Sequence, residues 1–363
     1  MFHNQNWLSK SRTKIRNHKL SSLRPLWFLA LLLTPLLASV PAAAHHALVA
    51  QNGASSVWVI NTWTDKVVAV IPVESSPYGI AIKPNSALAY VSNTGVICDP
   101  HLPSCPIAQS GSVSVIDTDA YKVVATIPVG QYPAGLAVTP DGAFTFVANF
   151  NSNTVSVINT ATNTVTATVG VGTQPLFVAI TPNGAFAYVT DYASNDVSVI
   201  ETATNRVVAT VSMPSNPWGV AITRNGALAY VTNPRSNNVS VIDIGGAVPT
   251  VVATVQVGCG PTGVVVAGDF IYVTNACDST VSVIDPATNA VVATVAVGPD
   301  PENIAVTPEG FYAYTSNFMN GSLSVIDTRS NTVVDTIQYA GQRPLGIGTF
   351  LRRSTSDLFG LDP

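Results

Sequence analysis

Short runs of β-branched residues, apolar on both sides, recur along most of the chain. The stretch Tyr188–Val211, YVTDYASNDVSVIETATNRVVATV, contains such runs separated by Asn, Asp, Ser and Thr. Runs of this length and composition, bounded by turn residues, are typical of β-strands. Because they have no clear polar face, we expect Val197 and Val199 to face one neighbouring sheet, and Ser198 and Ile200 the other.

The pattern repeats at an interval of 42 residues. The element VSVID and its variants begin at Val113, Val155, Val197, Val239, Val281 and Leu323. A seventh copy, VWVIN at Val57, lies 56 residues before Val113, which is one period plus a 14-residue insertion. Each unit also has a YVTN-like strand, a VVATV-like strand and, after a Pro-x-Gly-like turn, a GVAIT-like strand. Four short strands in a repeat of about 40 to 45 residues are typical of a β-propeller blade.

Turn residues separate these strands at regular positions. Pairs such as Asp141-Gly142 and Asn183-Gly184 lie between the GVAIT-like and YVTN-like strands. A second set of turn residues follows the VSVID element, where we expect a positive φ. This set contains Asn163, Asn205, Asn289 and Asn331.

We therefore predict an all-β fold, a seven-bladed β-propeller of four-stranded antiparallel blades. The last recognisable strand, Pro344–Leu351, is of the innermost type, and the first unit after residue 44 lacks that strand. We expect this C-terminal innermost strand to pair with the N-terminal strands, at residues 47–72, and to close the ring. An open solenoid, the alternative, would leave an apolar blade face exposed at each end.

The copies YVTN, VSVIDPATNAVVATVAVG and PNGAFAYVT resemble the YVTN-repeat β-propeller family. The resemblance covers about residues 46–350 and implies a propeller like those of bacterial exported and archaeal surface-layer proteins. It implies little about activity, because this fold carries binding proteins, electron-transfer subunits and lactone hydrolases. The motif residues themselves form blade packing and turns.

The N-terminal segment has the features of an export signal. Six basic residues precede the apolar run LWFLALLLTPLLASV, which ends in PAAAHH. A basic region, an apolar region and a small-residue cleavage site predict a signal peptide over residues 1–44, with an uncleaved anchor as the alternative. We expect a propeller over residues 45–351, with an insertion at 95–109, and a tail at 352–363. The destination is then the periplasm or the cell surface, with no transmembrane span in the mature chain.

Charge and cysteines narrow the classes of partner. Residues 1–44 hold six of the 16 Lys and Arg residues and none of the 20 acidic ones, which leaves a net charge near −10. So acidic a chain argues against nucleic acid as a partner. The even number of cysteines in an exported chain predicts two disulfides, Cys98 to Cys105 and Cys259 to Cys277. No haem motif or zinc spacing is present, so we expect no cofactor and no metal.

The candidates for catalysis are few. A Ser-His-Asp triad needs a histidine base, and residues 45 onward contain only His45, His46 and His101. A carboxyl pair, Asp300 and Glu302, precedes and begins an innermost strand, where one carboxylate would raise the pKa of the other. The alternative for Asp300 is an ion pair with Arg343, which occupies the same position in the next unit.

One face of the propeller is the candidate site. The loops that lead into the innermost strands and the loops after the YVTN-like strands open on the same face, together with the insertion and the Cys259/Cys277 pair. Loops on a rigid scaffold are where binding residues tend to lie. The predicted ligand-binding residues are Tyr78, Tyr132, Phe177, Trp218, Asp300, Glu302 and Arg343.

We expect a binding or interaction module rather than an enzyme. Aromatic side chains beside a few charges suit a small polar ligand or a peptide or protein partner in the cell envelope. The alternatives are a lactonase-like hydrolase that uses the acidic residues near the axis, and a structural component of the envelope or surface layer.

Overall fold

The chain forms a ring of seven antiparallel sheets. The computed structural model describes residues 45–84, 86–95, 111–338 and 343–351. Innermost strands of successive sheets lie side by side in a closed cycle, which confirms the predicted seven-bladed β-propeller. The signal segment, the tail and the insertion except Gly95 lie outside the described residues.

Six blades are built from four consecutive strands, which follow one another in the chain from the innermost to the outermost. Blade 1 contains β4 (Pro77–Ile82), β5 (Leu88–Asn93), β6 (Ser112–Asp117) and β7 (Lys122–Pro128). Blade 2 contains β8 (Pro133–Val138), β9 (Phe144–Asn149), β10 (Thr154–Asn159) and β11 (Thr164–Gly170). Blade 3 contains β12 (Pro175–Ile180), β13 (Phe186–Asp191), β14 (Asp196–Glu201) and β15 (Arg206–Ser212).

The next three blades repeat this order. Blade 4 contains β16 (Val220–Ile222), β17 (Leu228–Asn233), β18 (Asn238–Asp243) and β19 (Thr250–Gln256). Blade 5 contains β20 (Pro261–Ala267), β21 (Phe270–Asn275), β22 (Thr280–Asp285) and β23 (Ala290–Ala296). Blade 6 contains β24 (Pro301–Val306), β25 (Tyr312–Asn317), β26 (Ser322–Asp327) and β27 (Thr332–Gln338). A 3-10 helix, Pro234–Ser236, follows β17, and no helix of the described residues is long and apolar enough to span a membrane.

Blade 7 joins strands from the N-terminal and the C-terminal parts of the described chain. It contains β28 (Pro344–Leu351), β1 (His45–Gln51), β2 (Ser56–Asn61) and β3 (Lys66–Pro72). Strands β1 and β28 are antiparallel, with Val49 opposite Ile347 and Leu48 opposite Gly348. The predicted closure by the C-terminal innermost strand is confirmed, and it removes the free edge that β1 would otherwise expose.

The core consists of apolar layers between adjacent blades. In blade 3, Val197 and Val199 pack against blade 4, in a layer with Val231 and Ile242. Ile200 of the same strand packs against blade 2. Both faces of the middle strand are therefore buried, which explains why its sequence has no polar side.

A tyrosine hydroxyl connects most blades to the next. Tyr230 of β17 donates to the side-chain oxygen of Asn289, in the outer hairpin of blade 5, at 3.0 Å. The same bond joins Tyr90 to Asn163 and Tyr272 to Asn331. The hairpin asparagines have positive φ, as predicted; these are Asn163, Asn205, Asn289 and Asn331.

A buried polar bond recurs within the blades. Asn275, the last residue of β21, donates from its side-chain nitrogen to the Ser282 hydroxyl at 2.9 Å, and Asn317 does the same to Ser324 at 3.0 Å. In blade 3 the equivalent residue is Asp191, a carboxyl group that accepts from the Ser198 hydroxyl at 2.6 Å.

Candidate functional site

The loops of one face are held by a backbone hook. The residue before the proline of the innermost strand has a left-handed conformation in most blades, with φ of 51° at Tyr132 and 56° at Asp300. This conformation is uncommon for a non-glycine residue, and a following proline disfavours helical conformations. The carbonyl of each accepts a hydrogen bond from the amide that follows the YVTN-like strand, Phe150 for Tyr132 and Phe318 for Asp300. The hook therefore brings the side chains of both loops together.

Four of the predicted site residues line one cavity at the axis. Its walls are Tyr78, Phe177, Trp218, Glu302, Asn303 and Leu345. The space open to the centre of a water molecule is about 10 Å³, which is room for about one water. The cavity can hold a group of that size, and a larger ligand must lie across its mouth.

Two departures from the repeat provide side chains at the axis. In five blades the third residue of the Pro-x-Gly turn is glycine, and neighbouring strands approach it closely: a Cβ at Gly346 would lie 2.2 Å from the carbonyl oxygen of Tyr78. Phe177 and Asn303 occupy this position in blades 3 and 6. Both line the axial cavity, so the ring leaves room for a side chain at these two blades.

Six aromatic side chains form a continuous series across blades 1 to 4, which we call the aromatic arc. Its members are Tyr78, Tyr132, Phe150, Phe177, Tyr192 and Trp218. The Tyr78 ring lies 6.2 Å from Phe177 and 6.4 Å from Tyr132, centroid to centroid. Tyr132 lies 5.5 Å from Phe150, and Phe150 lies 6.5 Å from Tyr192. Tyr192 meets Trp218 edge to face at 5.7 Å.

Sequence reasoning missed two members of the arc. Phe150 and Tyr192 each follow the last residue of a YVTN-like strand, a position that the repeat assigns to a turn. The position before the innermost strand and the position after the YVTN-like strand are paired by the hook, so an aromatic residue at one predicts the neighbour of the other. Phe150 is paired in this way with Tyr132, whereas the hook partner of Tyr192 is Gln174, so this signal applies to Phe150 alone and requires knowledge of the hook.

Hydroxyl groups fix the backbone beneath the arc. The Thr190 hydroxyl donates to the carbonyl of Trp218 in the next blade at 2.6 Å. The Thr190 hydroxyl oxygen also accepts a hydrogen bond from the amide of Phe177 at 3.0 Å. Thr232 makes an equivalent bond to the carbonyl of Thr262 at 2.7 Å. Innermost strands of adjacent blades are thus joined at the level of the site.

Glu302 is the carboxyl group of the axial cavity. Burial, and then the charge of Asp300, raise the pKa of Glu302 to about 8, so the group is mostly protonated at neutral pH. Burial also raises the pKa of Asp300. Tyr78 is kept neutral because burial, Tyr132 and Glu302 raise its pKa. The catalytic role of this carboxyl pair stays a prediction.

Arg343 does not form the alternative ion pair with Asp300. Its guanidinium carbon lies 5.4 Å from the centre of the Phe318 ring. The ion pair that the described part of the chain does contain joins Arg329 to Asp327, in an outer hairpin on the opposite face. Phe318 follows a YVTN-like strand, as Phe150 and Tyr192 do, and its ring attracts the cation instead.

The two cysteines of blade 5 lie side by side on this face. The amide of Cys277 donates to the carbonyl of Cys259 at 3.2 Å. Both are free thiols in this structure, and the hydrogen bond with Cys259, together with burial, raises the pKa of Cys277 to about 11. The Cys259 to Cys277 disulfide stays a prediction, and Cys98 and Cys105 lie outside the described residues.

Comparisons with known proteins support the fold and give little about activity. No family model matches the chain. Protein YncE of Salmonella typhimurium is 30% identical over 110 residues, which is 30% of this chain. The match spans about a quarter of that relative's length, 27%. The chain is thus homologous to YncE over this segment, and the YVTN-repeat family stays an interpretation of the motifs.

Solved structures share the propeller. The periplasmic gluconolactonase PpgL of Pseudomonas aeruginosa is 20% identical, with a TM-score of 0.70, over 85% of this chain and 99% of that one. Hydrazine synthase of Kuenenia stuttgartiensis is 23% identical, with a TM-score of 0.66, over 76% of this chain and 90% of that one. At these identities the likeness establishes the fold alone.

Proposed function

We propose that the chain is an exported binding module whose ligand or partner docks on the aromatic arc. The observation that carries this proposal is the continuous contact of six aromatic rings on one face, where the equivalent positions of blades 5 to 7 hold mostly small or polar residues. Aromatic residues contribute a large share of binding energy at recognition sites. The signal-like N-terminus supports delivery to the periplasm or the cell surface.

The size of the axial cavity favours a ligand that lies on the face. The axial cavity has space for about one water, so a sugar ring or a cofactor does not fit inside it. A polar small molecule or a peptide segment can cover the rings and place one small group at the axis. Carboxyl groups at Asp300 and Glu302 then give the arc a polar end.

Intrinsic fluorescence can test this proposal directly. After residue 44 the tryptophans are Trp58, Trp63 and Trp218, and Trp63 is 79% exposed and far from the arc in the outer hairpin of blade 7. We would titrate the protein with sugars, aldonolactones, amines and envelope peptides, and identify molecules that co-purify by mass spectrometry. A ligand of the arc changes the fluorescence of wild type and of Trp63→Phe, and loses this signal in Trp218→Phe.

Affinity must depend on the arc as well. Tyr192→Ala is expected to weaken the same ligand at least tenfold in a calorimetric titration, because it removes a ring that contacts Trp218. Trp63→Ala is the matched control on another surface. If Tyr192→Ala and Trp218→Ala both keep wild-type affinity for every ligand found, the arc is not the site.

The carboxyl pair supports a second candidate, a hydrolase that acts on lactones. Glu302 is a proton donor at neutral pH, and Asp300 is its neighbour. General acid catalysis works best when the pKa lies near the working pH. Lactone hydrolysis measured in wild type, Glu302→Gln and Asp300→Asn decides this: turnover that both variants lose supports the enzyme, and no turnover in wild type excludes it.

A further inference from the structure

Glu302 is exceptional among the residues that line the axis. It is the second residue of β24, and the equivalent residue in the other blades is uncharged. These residues are Tyr78, Ala134, Leu176, Trp218, Thr262 and Leu345. Glu302 therefore places the single carboxyl group of the axial cavity among three aromatic rings.

The Glu302 carboxyl group has no partner in the described part of the chain. Among these residues Glu302 makes neither a hydrogen bond nor an ion pair, although its side chain is half-buried. Its oxygens are not among the fully buried side-chain atoms that lack a partner, so they are open to solvent or to a ligand at the cavity, and the partial burial of a carboxyl group without a protein partner is unfavourable. A side chain that contributes only to packing at this position would be apolar, as Leu176 and Leu345 are.

The walls of the cavity suit a positive charge. Aromatic rings attract cations through their negative faces, and Tyr78, Phe177 and Trp218 are all in contact with the space beside Glu302. A carboxylate supplies the opposite charge and accepts hydrogen bonds from an ammonium group. The space of about 10 Å³ is close to the size of one water. A primary ammonium group is of that size, whereas a trimethylammonium group is several times larger.

We propose that the axial cavity binds the primary ammonium group of a small amine or of a lysine side chain, held against the Glu302 carboxylate. This proposal rests on the proposed binding function of the face, and it assigns the chemistry of the group at the axis. The remainder of the ligand lies over the aromatic arc, beginning at Trp218 and Tyr78.

Binding of a cation at this site is linked to a proton. The ionisable groups that face Glu302 are Asp300, which precedes it in the chain, and Tyr78 from blade 1. Arg343, at the start of blade 7, lies over Phe318. The ammonium group requires the ionised carboxylate, and the free protein holds Glu302 mostly protonated at pH 7. Affinity is therefore expected to rise about 50-fold between pH 6 and pH 8, with release of a proton.

Calorimetric titration of the mature protein with three probes tests this inference. The probes are n-propylamine, n-propyltrimethylammonium and a short peptide with one lysine. We expect both primary amines to bind, and the quaternary analogue to bind at least tenfold more weakly. A peptide that binds much more tightly than propylamine indicates a protein source for the amine, and equal affinities indicate a small amine.

Variants distinguish specific binding of the amine at Glu302 from nonspecific attraction of cations to an acidic protein. Glu302→Gln is expected to lose at least tenfold in affinity and all of the dependence on pH, and to melt no lower than wild type because it removes a buried acid. Glu74 is an exposed carboxylate on the same face. Glu74→Gln is therefore the control, and it should keep both the affinity and its dependence on pH. Should Glu302→Gln fail to fold, the comparison of primary and quaternary amines on wild type still decides.

Four results would overturn the inference: no binding of the primary amines, equal binding of the quaternary amine, unchanged pH dependence in Glu302→Gln, or binding of potassium with no preference for amines. Absence of amine binding would leave the proposed function of the arc intact if Trp218→Phe still loses the signal of another ligand. Failure of both the amine probes and the Trp218 test would remove the two proposals together.

Discussion

Adding one hydroxyl group to blade 2 is expected to stabilise the whole propeller. At the position where other blades have tyrosine, blade 2 has Phe146, which is fully buried. The hairpin asparagine of blade 3, Asn205, has a buried side-chain oxygen with no hydrogen-bond partner among the described residues. In the equivalent pair, Tyr230 donates to Asn289 at 3.0 Å. Phe146→Tyr supplies the missing donor in a geometry that the same fold already uses in several blades.

The magnitude follows from the unsatisfied acceptor. A buried hydrogen bond contributes about 0.5 to 1.5 kcal/mol, and a buried polar atom without a partner costs about 1 to 3 kcal/mol. We expect Phe146→Tyr to raise the free energy of unfolding by about 1 to 2 kcal/mol. We expect the melting temperature to rise by about 2 °C. The shift per kcal/mol is small for a protein of this size because the entropy of unfolding grows with chain length.

Two variants complete the experiment. Tyr230→Phe removes an existing bond and leaves Asn289 unsatisfied, so it should cost about 1 to 2 kcal/mol. Tyr188→Phe is the matched control, because the Tyr188 hydroxyl has no hydrogen bond to a described residue and the next outer hairpin, at 244–249, has no asparagine. It should change stability by less than about 0.5 kcal/mol. Urea titrations of the three variants, followed by circular dichroism, measure these values. If Phe146→Tyr is neutral while Tyr230→Phe is costly, the added hydroxyl does not reach Asn205 and the reasoning is wrong.

Three further predictions concern the blades next to the site. Burial and the neighbouring Asp196 raise the pKa of Asp191 to about 7, above its value of 3.8 when unfolded, so wild-type stability falls as the pH rises from about 4 to 7. Asp191→Asn should remove this loss. The difference in unfolding free energy between the variant and wild type should therefore be larger at pH 8 than at pH 4, by on the order of 3 kcal/mol, as measured by urea titration at both pH values. Thr190→Val should cost about 1 to 3 kcal/mol, because the amide of Phe177 and the carbonyl of Trp218 lose their shared partner, whereas Thr190→Ser should keep most of the stability; equal melting of the two variants would contradict this. A chain that ends before Pro344 should lose cooperative unfolding in calorimetry, and removal of residues 354–363 alone should not, because β28 pairs with β1 to close the ring.

The repeat made the fold predictable from the sequence. A spacing of 42 residues specifies the strands, their order and the number of blades, because each unit buries its faces only against copies of itself. The incomplete units at the two ends predicted the pairing of β28 with β1. These inferences need no knowledge of any individual contact between side chains.

The site was predictable only in part. Tyr78, Phe177, Trp218 and Glu302 all lie in the loops or first residues of innermost strands, and the topology alone directs them to the axis. The aromatic arc depends on the hook between two loops, in which a left-handed residue before proline accepts a backbone bond. That conformation is seldom expected before proline, so the sequence did not indicate that Phe150 lies beside Tyr132.

The departures from the repeat lie on the face that we propose as the site, whereas a repeated residue serves packing that is common to all blades. Phe177 and Asn303 replace glycine, Glu302 replaces uncharged residues, and Asp191 replaces asparagine. All four lie at the end of the sheets that carries the hook, and three of them line the axial cavity. Two of the four are carboxyl groups with raised pKa values, a combination that lowers stability at neutral pH. Selection for stability alone would restore the consensus residues at these positions, so their presence supports the proposal that this face binds a ligand.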